Sequence, residues 1–277
     1  MMKPEDFPET GLLEALHVGH VSLPAQRIDA RGCTTTTEWV AEELPVALCY
    51  NDVSHAVMMA SPGDLEDFAI GFSLSEGIVE HAAEITDITQ HVSPQGITLA
   101  LRITERRMTA LRERRRALTG RTGCGLCGAE SLEQAIRPVT HVTADFVATP
   151  AMIREGFAEL ARQQVLNHAT GAAHAAALFD GQHSLVREDI GRHNALDKLI
   201  GAMQRSDLNT GILLVTSRAS YEMVHKAASA NIGLLAAISA PTLLAIELAQ
   251  TASITLVGFA RGESLTCYTQ GRVRLLS

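Results

Sequence analysis

Apolar residues fall into short runs separated by turn-forming positions, and the runs change character midway along the chain. Runs at 44–50 and 53–59 flank Asn51-Asp52 and are predicted to pair as a hairpin. Ser61-Pro62-Gly63-Asp64 then opens a helix that Gly77 closes. A second hairpin is expected to turn at Ser93-Pro94-Gln95-Gly96, with an arginine-rich helix after it. In the second half, runs at 173–179 and 184–187 flank Asp180-Gly181 as another hairpin, and a helix starts near Arg192. Strand and helix then alternate: strands at 212–216, 234–238 and 254–259, helices at 221–230 and 243–250. Such alternation predicts a largely parallel sheet covered on both faces. Ligands of such sheets bind beyond the carboxyl ends of the strands. Here those ends carry Ser217-Arg218, Ser239-Ala240 and Phe259-Ala260-Arg261-Gly262, which makes that edge a candidate crevice. Residues 1–40 show no sustained periodicity, end in the threonine run 34–37, and are expected to be weakly ordered.

Composition narrows the class. Hydrophobic residues make up 46% and charged residues 19% of the 277, as in an ordinary globular protein. A net charge of −8 gives no general affinity for nucleic acid. The first twenty residues lack a basic stretch followed by an apolar one, so no secretory signal is expected. The longest apolar stretch, 232–248, is interrupted by Pro241 and reads as strand, loop and helix, not as a membrane span. Five cysteines, only two of them close together, fit a reducing compartment, and the cytoplasm is the expected location.

The most unusual segment is Gly120-Arg121-Thr122-Gly123-Cys124-Gly125-Leu126-Cys127-Gly128, with four glycines in nine residues. Glycine costs much entropy to order and tolerates positive φ, so this is expected to be a loop presenting two thiols. Structural zinc needs four ligands, whereas Cys33, Cys49 and Cys267 stand alone. A zinc deaminase needs His-x-Glu upstream and proline before the first cysteine; neither is present. Dithiol redox chemistry of the thioredoxin type, sulfur relay through a persulfide, and two incidental thiols stay open on the residues alone.

Two further polar stretches bear on function. Eight arginines lie between Arg102 and Arg121 against only Glu105 and Glu113. The run suits an acidic or phosphate-rich partner, or is a solvated helix face. No aromatic residue interleaves it, which argues against nucleic acid. Segment 188–198 packs Glu188, Asp189, Arg192, His193, Asn194, Asp197 and Lys198 around a helix start, with Asp189 as candidate cap and His193 and Asp197 on one face. No third metal ligand accompanies them. His174, entering an apolar strand, reads as a core histidine.

The cysteine segment, together with Glu43-Leu44-Pro45-Val46, Ser73-Leu74-Ser75-Glu76-Gly77, Glu188-Asp189-Ile190-Gly191-Arg192-His193, Ser217-Arg218-Ala219-Ser220-Tyr221-Glu222-Met223 and Val257-Gly258-Phe259, resembles the formate dehydrogenase accessory sulfurtransferases, the FdhD family. The resemblance implies a sulfurtransferase that takes persulfide sulfur from a cysteine desulfurase. It delivers that sulfur to the molybdenum cofactor, a bis(molybdopterin guanine dinucleotide), required by formate dehydrogenase. It implies that Cys124 carries the persulfide, with Cys127 as its supporting thiol. Cofactor binding falls on Phe259, Ala260, Arg261, Gly262, Glu263 and Ser264, and no structural metal is implied. The implied fold is α/β, a cytidine-deaminase-like mixed sheet with helices on both faces, spanning 136–277. A smaller N-terminal α+β subdomain would cover 41–135. A homodimer is implied, with no membrane or nucleic-acid partner. The alternative class is a thiol–disulfide oxidoreductase using Cys124 and Cys127.

Overall fold

The computed structural model describes residues 19–119 and 138–276. It begins with a hairpin, β1 (His20–Asp29) and β2 (Gly32–Ala41), paired antiparallel from His20–Ala41 to Asp29–Gly32. Residues 20–40 are thus paired strand and not weakly ordered as expected; residues 1–18 lie outside the described residues. The threonines at 34–37 are β-branched and favour extended backbone, and Arg27 pairs with Glu38 across the strands at 2.7 Å. The hairpin is mostly exposed and its apolar residues, among them Leu23, Ile28, Trp39 and Val40, do not alternate, so no period betrays it.

The next sheet has four strands in the order β4 (Val53–Ala60), β3 (Leu44–Tyr50), β6 (Gly96–Ile103), β5 (Ile85–Ser93). Both expected hairpins are present, and β3 and β6 run parallel at the centre. Val46, Leu48 and Tyr50 alternate into the core with Ile97, Leu99 and Leu101. Helix α1 (Leu65–Ser75) covers them with Phe68, Ala69 and Phe72. Helix α2 (Glu105–Thr119) follows β6 and holds most of the arginine run.

The second half is built on a six-stranded sheet. Its order is β13 (Ser264–Thr269), β12 (Thr255–Arg261), β11 (Leu234–Ala237), β10 (Ile212–Val215), β8 (His174–Phe179), β9 (Ser184–Asp189). Only β10, β11 and β12 are mutually parallel. The sheet is therefore mixed, not largely parallel. Tight turns at Asp180-Gly181 and Gly262-Glu263 join chain neighbours, and a tight turn enforces antiparallel pairing. A short pair, β7 (Val147–Ala148) with β14 (Arg274–Leu275), lies apart from it.

Helices cover both faces of the six-stranded sheet. On one face Leu213, Val215, Leu235 and Ala237 meet helices α5 (Arg192–Met203), α6 (Tyr221–Ser229) and α7 (Leu243–Ala252) through Leu196, Leu199, Met223, Val224 and Leu248. On the other, Ile212, Leu214, Ala236 and Val257 meet Ile153 and Leu160 of α3 (Pro150–Gln163). A short helix, α4 (Val165–Thr170), links α3 to β8.

The two halves meet where α1 crosses α5. A Cβ on Gly71 would overlap the carbonyl of Asp197, and one on Gly201 would overlap the carbonyl of Asp67. The backbones approach closely because both crossing residues are glycine. At the rim, Asp67 binds Arg187 at 2.7 Å and Arg205 at 3.3 Å.

Candidate functional site

The three strand-end loops lie together. Ala219 and Pro241 form a parallel bridge, Thr242 N donates to the Ala219 carbonyl at 3.0 Å, and Phe259 N donates to the Ser239 carbonyl at 3.2 Å. The loops after β10, β11 and β12 thus form one continuous edge. At its β12 end the register with β13 slips by one residue between Gly258 and Arg261. Such a bulge bends the strand and re-aims its side chains. Phe259 sits in this bulge with φ of 52°, a left-handed conformation unusual for a bulky residue. The residue is 38% exposed, and the Arg261 guanidinium lies 5.9 Å from its ring centroid. That spacing is within cation–π range.

A cavity of about 230 Å³ opens beside the bulge. Ala260, Arg261, Gly262 and Ser264 form one wall; Ile153, Arg154 and Phe157 of α3 form the other. Four of the six residues expected to bind cofactor therefore share a concavity, while Phe259 and Glu263 do not line it. The α3 wall is absent from the sequence reading. Its signal was available: Thr149-Pro150 reads as N-cap and first helical residue, and Ile153, Phe157 and Leu160 recur at helical spacing.

At the adjoining edge the first turns of α5 and α6 meet. His193 Nε2 lies 2.9 Å from Glu222 Oε2. Burial depresses the His193 pKa despite Glu222, with Arg192 and Lys226 adding to the effect. His174, half-buried at the start of β8, is likewise depressed by burial and by Arg192. Arg192 Nε and Ser220 Oγ are buried without a hydrogen-bond partner among the described residues. Such groups are rare in folded proteins.

Two buried ion pairs hold this edge. Lys198 Nζ and Asp189 Oδ2, both fully buried, are 2.7 Å apart. The remaining valences are filled. Asp189 accepts from Ser61 N and Oγ and from Gly191 N and Asn194 Nδ2, and Lys198 donates to Ser61 Oγ and the Ser61 carbonyl. Asp189 therefore holds the loop before α5, but it is not the expected cap: the N-cap is Gly191 and no side chain caps the helix. Lys226 Nζ contacts both Asp197 oxygens, at 2.8 and 2.9 Å, and Ser75 Oγ at 2.8 Å. Burial raises the Asp197 pKa, and Lys226 opposes that rise. His193 and Asp197 share a helix yet serve different partners. Glu188 accepts from Leu166 N and Asn167 N and so caps α4.

Cys124 and Cys127 lie outside the described residues. Cys33, Cys49 and Cys267 are free thiols. Several arginines of the run are engaged within the chain. Arg102 pairs with Asp52, Arg106 and Arg107 bind Glu84, and Arg114 donates to the Glu76 carbonyl. The half of the run described here is thus largely a structural brace, which weakens its reading as a docking surface. Among the described residues no helix is long and apolar enough to cross a membrane.

The fold and edge define an α/β protein with two main sheets and a small concavity at the end of a parallel strand. Residues 41–275 match the model of the FdhD/NarQ family. The chain is 55% identical over 233 residues to the sulfur carrier protein FdhD of Cupriavidus necator, covering 83% of this chain and 81% of that protein. It is 48% identical over 251 residues to the protein of the same name from Variovorax paradoxus, covering 89% and 90%. The fold matches the crystal structure of a protein from Desulfotalea psychrophila assigned as a formate dehydrogenase accessory protein. That match has a TM-score of 0.73 and 25% identity, over 92% of this chain and 99% of the other. The chain belongs to the FdhD/NarQ family.

Proposed function

We propose that this protein is a cytoplasmic sulfur carrier, a sulfurtransferase in the maturation of formate dehydrogenase. The observation that carries the reading is the match of nearly the whole folded chain to proteins named sulfur carriers, in a chain that bears the Cys124-Gly125-Leu126-Cys127 pair. The same match favours a carrier over a thiol–disulfide oxidoreductase.

In this scheme the Cys124 thiolate attacks the outer sulfur of a persulfide on a cysteine desulfurase. The donor's S–S bond breaks, its cysteine leaves as thiolate, and Cys124 keeps the transferred sulfur as its own persulfide. A thiolate is the required nucleophile, and Cys127 supports it as a neighbouring thiol. The outer sulfur then passes to the substrate, the molybdenum bis(molybdopterin guanine dinucleotide) held at 259–264: the Cys124 S–S bond breaks, Cys124 leaves as thiolate, and the reduced metal of the substrate supplies the two electrons that bring the sulfur to the sulfide level. The residues there suit a phosphate-bearing ligand: Arg261 offers a planar fork of donors and Ser264 a hydroxyl, both on a cavity wall. We read the six-stranded sheet as deaminase-like, with 136–277 the cofactor-binding subdomain, 41–135 the smaller one, and two copies forming the working unit.

The test is incubation with a cysteine desulfurase and cysteine, then mass spectrometry of the Cys124 peptide without reductant. One added sulfur on Cys124, dependent on the desulfurase, is expected. An unmodified peptide beside a competent donor overturns the proposal.

A further inference from the structure

The cavity at the end of β12 has a wall that segment 259–264 does not supply. Arg154, on α3, lines it together with Arg261. Arg154 is exposed, and neither guanidinium makes an ion pair with a carboxylate among the described residues. The acid one turn further along α3 is already occupied: Glu159 binds Gln163 and Arg162, which hold its carboxyl below the usual range. Glu155 and Glu263 neighbour the two arginines in sequence but do not line the cavity. The remaining lining is apolar, with Ile153, Phe157 and Leu265 beneath a single hydroxyl from Ser264.

Two cations facing one small space, without a carboxylate, repel each other unless an anion joins them. The planar guanidinium is the side chain best matched to phosphate oxygens, which it binds in pairs. At about 230 Å³ the cavity is below the roughly 300–1,000 Å³ of sites that engulf a drug-sized ligand. It therefore takes one end of a nucleotide and leaves the rest on the open edge. That edge offers the Phe259 ring, turned outward by its left-handed backbone.

We propose that Arg154 and Arg261 form a clamp across this cavity that grips the diphosphate of a guanine nucleotide. The inference rests on reading 259–264 as the cofactor segment and adds α3 as the second half of the site.

The test is calorimetric titration of the purified full-length protein with GDP and, separately, with guanosine. Arg154→Gln, Arg261→Gln and Arg162→Gln are compared with the unaltered chain, each checked by thermal melting. Arg162 lies on the same helix but outside the cavity. The expected result is a loss of GDP affinity of about ten- to hundredfold for each clamp variant, the usual range for a charged hydrogen bond. Arg162→Gln should bind GDP normally, and Arg154→Gln should leave guanosine binding unchanged. If Arg261→Gln weakens GDP and Arg154→Gln does not, the clamp is wrong and the cofactor segment stands. If Arg154→Gln weakens GDP and guanosine equally, Arg154 does not read phosphate and the clamp is again wrong. If neither variant matters, or the unaltered protein fails to bind GDP, the cofactor segment and the clamp both fall.

Discussion

Replacing Asp189 by asparagine removes one member of an ion pair that is fully buried on both sides. The magnitude follows from what each partner keeps. In Asp189→Asn, the Lys198 ammonium retains only Ser61 Oγ, the Ser61 carbonyl and a weak contact to the Glu188 carbonyl at 3.4 Å. An uncompensated buried charge costs about 3–5 kcal/mol, a large share of the roughly 5–15 kcal/mol that stabilises a domain. In Lys198→Met the Asp189 carboxylate keeps four donors from Ser61, Gly191 and Asn194. That variant should cost less. The double variant should be more stable than the sum of the two losses predicts, by about 1 kcal/mol or more, because it no longer strands a charge. Urea unfolding at neutral pH, followed by circular dichroism, measures all three. Asp189→Asn costing under about 1 kcal/mol, or strict additivity in the double variant, refutes the argument that the two charges are buried and depend on each other.

Other outcomes can be stated briefly. Cys124→Ala should yield formate dehydrogenase that contains molybdenum yet is inactive, seen by metal analysis beside an activity assay; full activity would refute the carrier role. Gly71→Ala should destabilise by about 1–3 kcal/mol, as overpacking does, although alanine is the better helix former; a neutral urea midpoint would mean that α1 and α5 do not cross so closely. Arg107, with Arg106 and the amides of Glu80 and His81, holds the Glu84 pKa at about 2 against an ordinary 4.5. A lowered folded-state pKa adds stability that is complete above about pH 4.5 and lost as pH falls towards 2. Glu84→Gln should therefore flatten the fall of the urea midpoint between about pH 5 and pH 3; an unchanged slope would show that Glu84 is not held by Arg107.

Whether an element can be read in the sequence depended on whether its determinants are local. The hairpins at Asn51-Asp52 and Asp180-Gly181 were readable because turn residues sit between two apolar runs. Strands β10 and β11 were readable because four successive apolar residues end at caps and turns. Strand β13 was not, since it alternates weakly and half of it is exposed, and without it the sheet looks more parallel than it is. The β1–β2 hairpin shows the same limit, having no buried face to imprint a period.

The candidate site follows the same rule. Helix periodicity places His193 and Asp197 on one face, but it cannot reveal that Asp197 belongs to Lys226 and Ser75, 29 and 122 residues away. Nor can it reveal that Asp189 belongs to Ser61, 128 residues away. Strand alternation placed 259–262 at a candidate crevice, but its reading as a cofactor segment, and the extension to 264, came only by resemblance, because a polar two-residue turn between strands looks like any other turn. What distinguishes it physically is non-local: a strained Phe259 and a facing arginine delivered by a helix a hundred residues earlier in the chain. The geometry of this edge comes from pairing distant segments, so substitutions in α3 are where the proposed phosphate binding and sheet stability can be separated. Arg154 lines the cavity, while Leu160 on the same helix is buried against the sheet outside it.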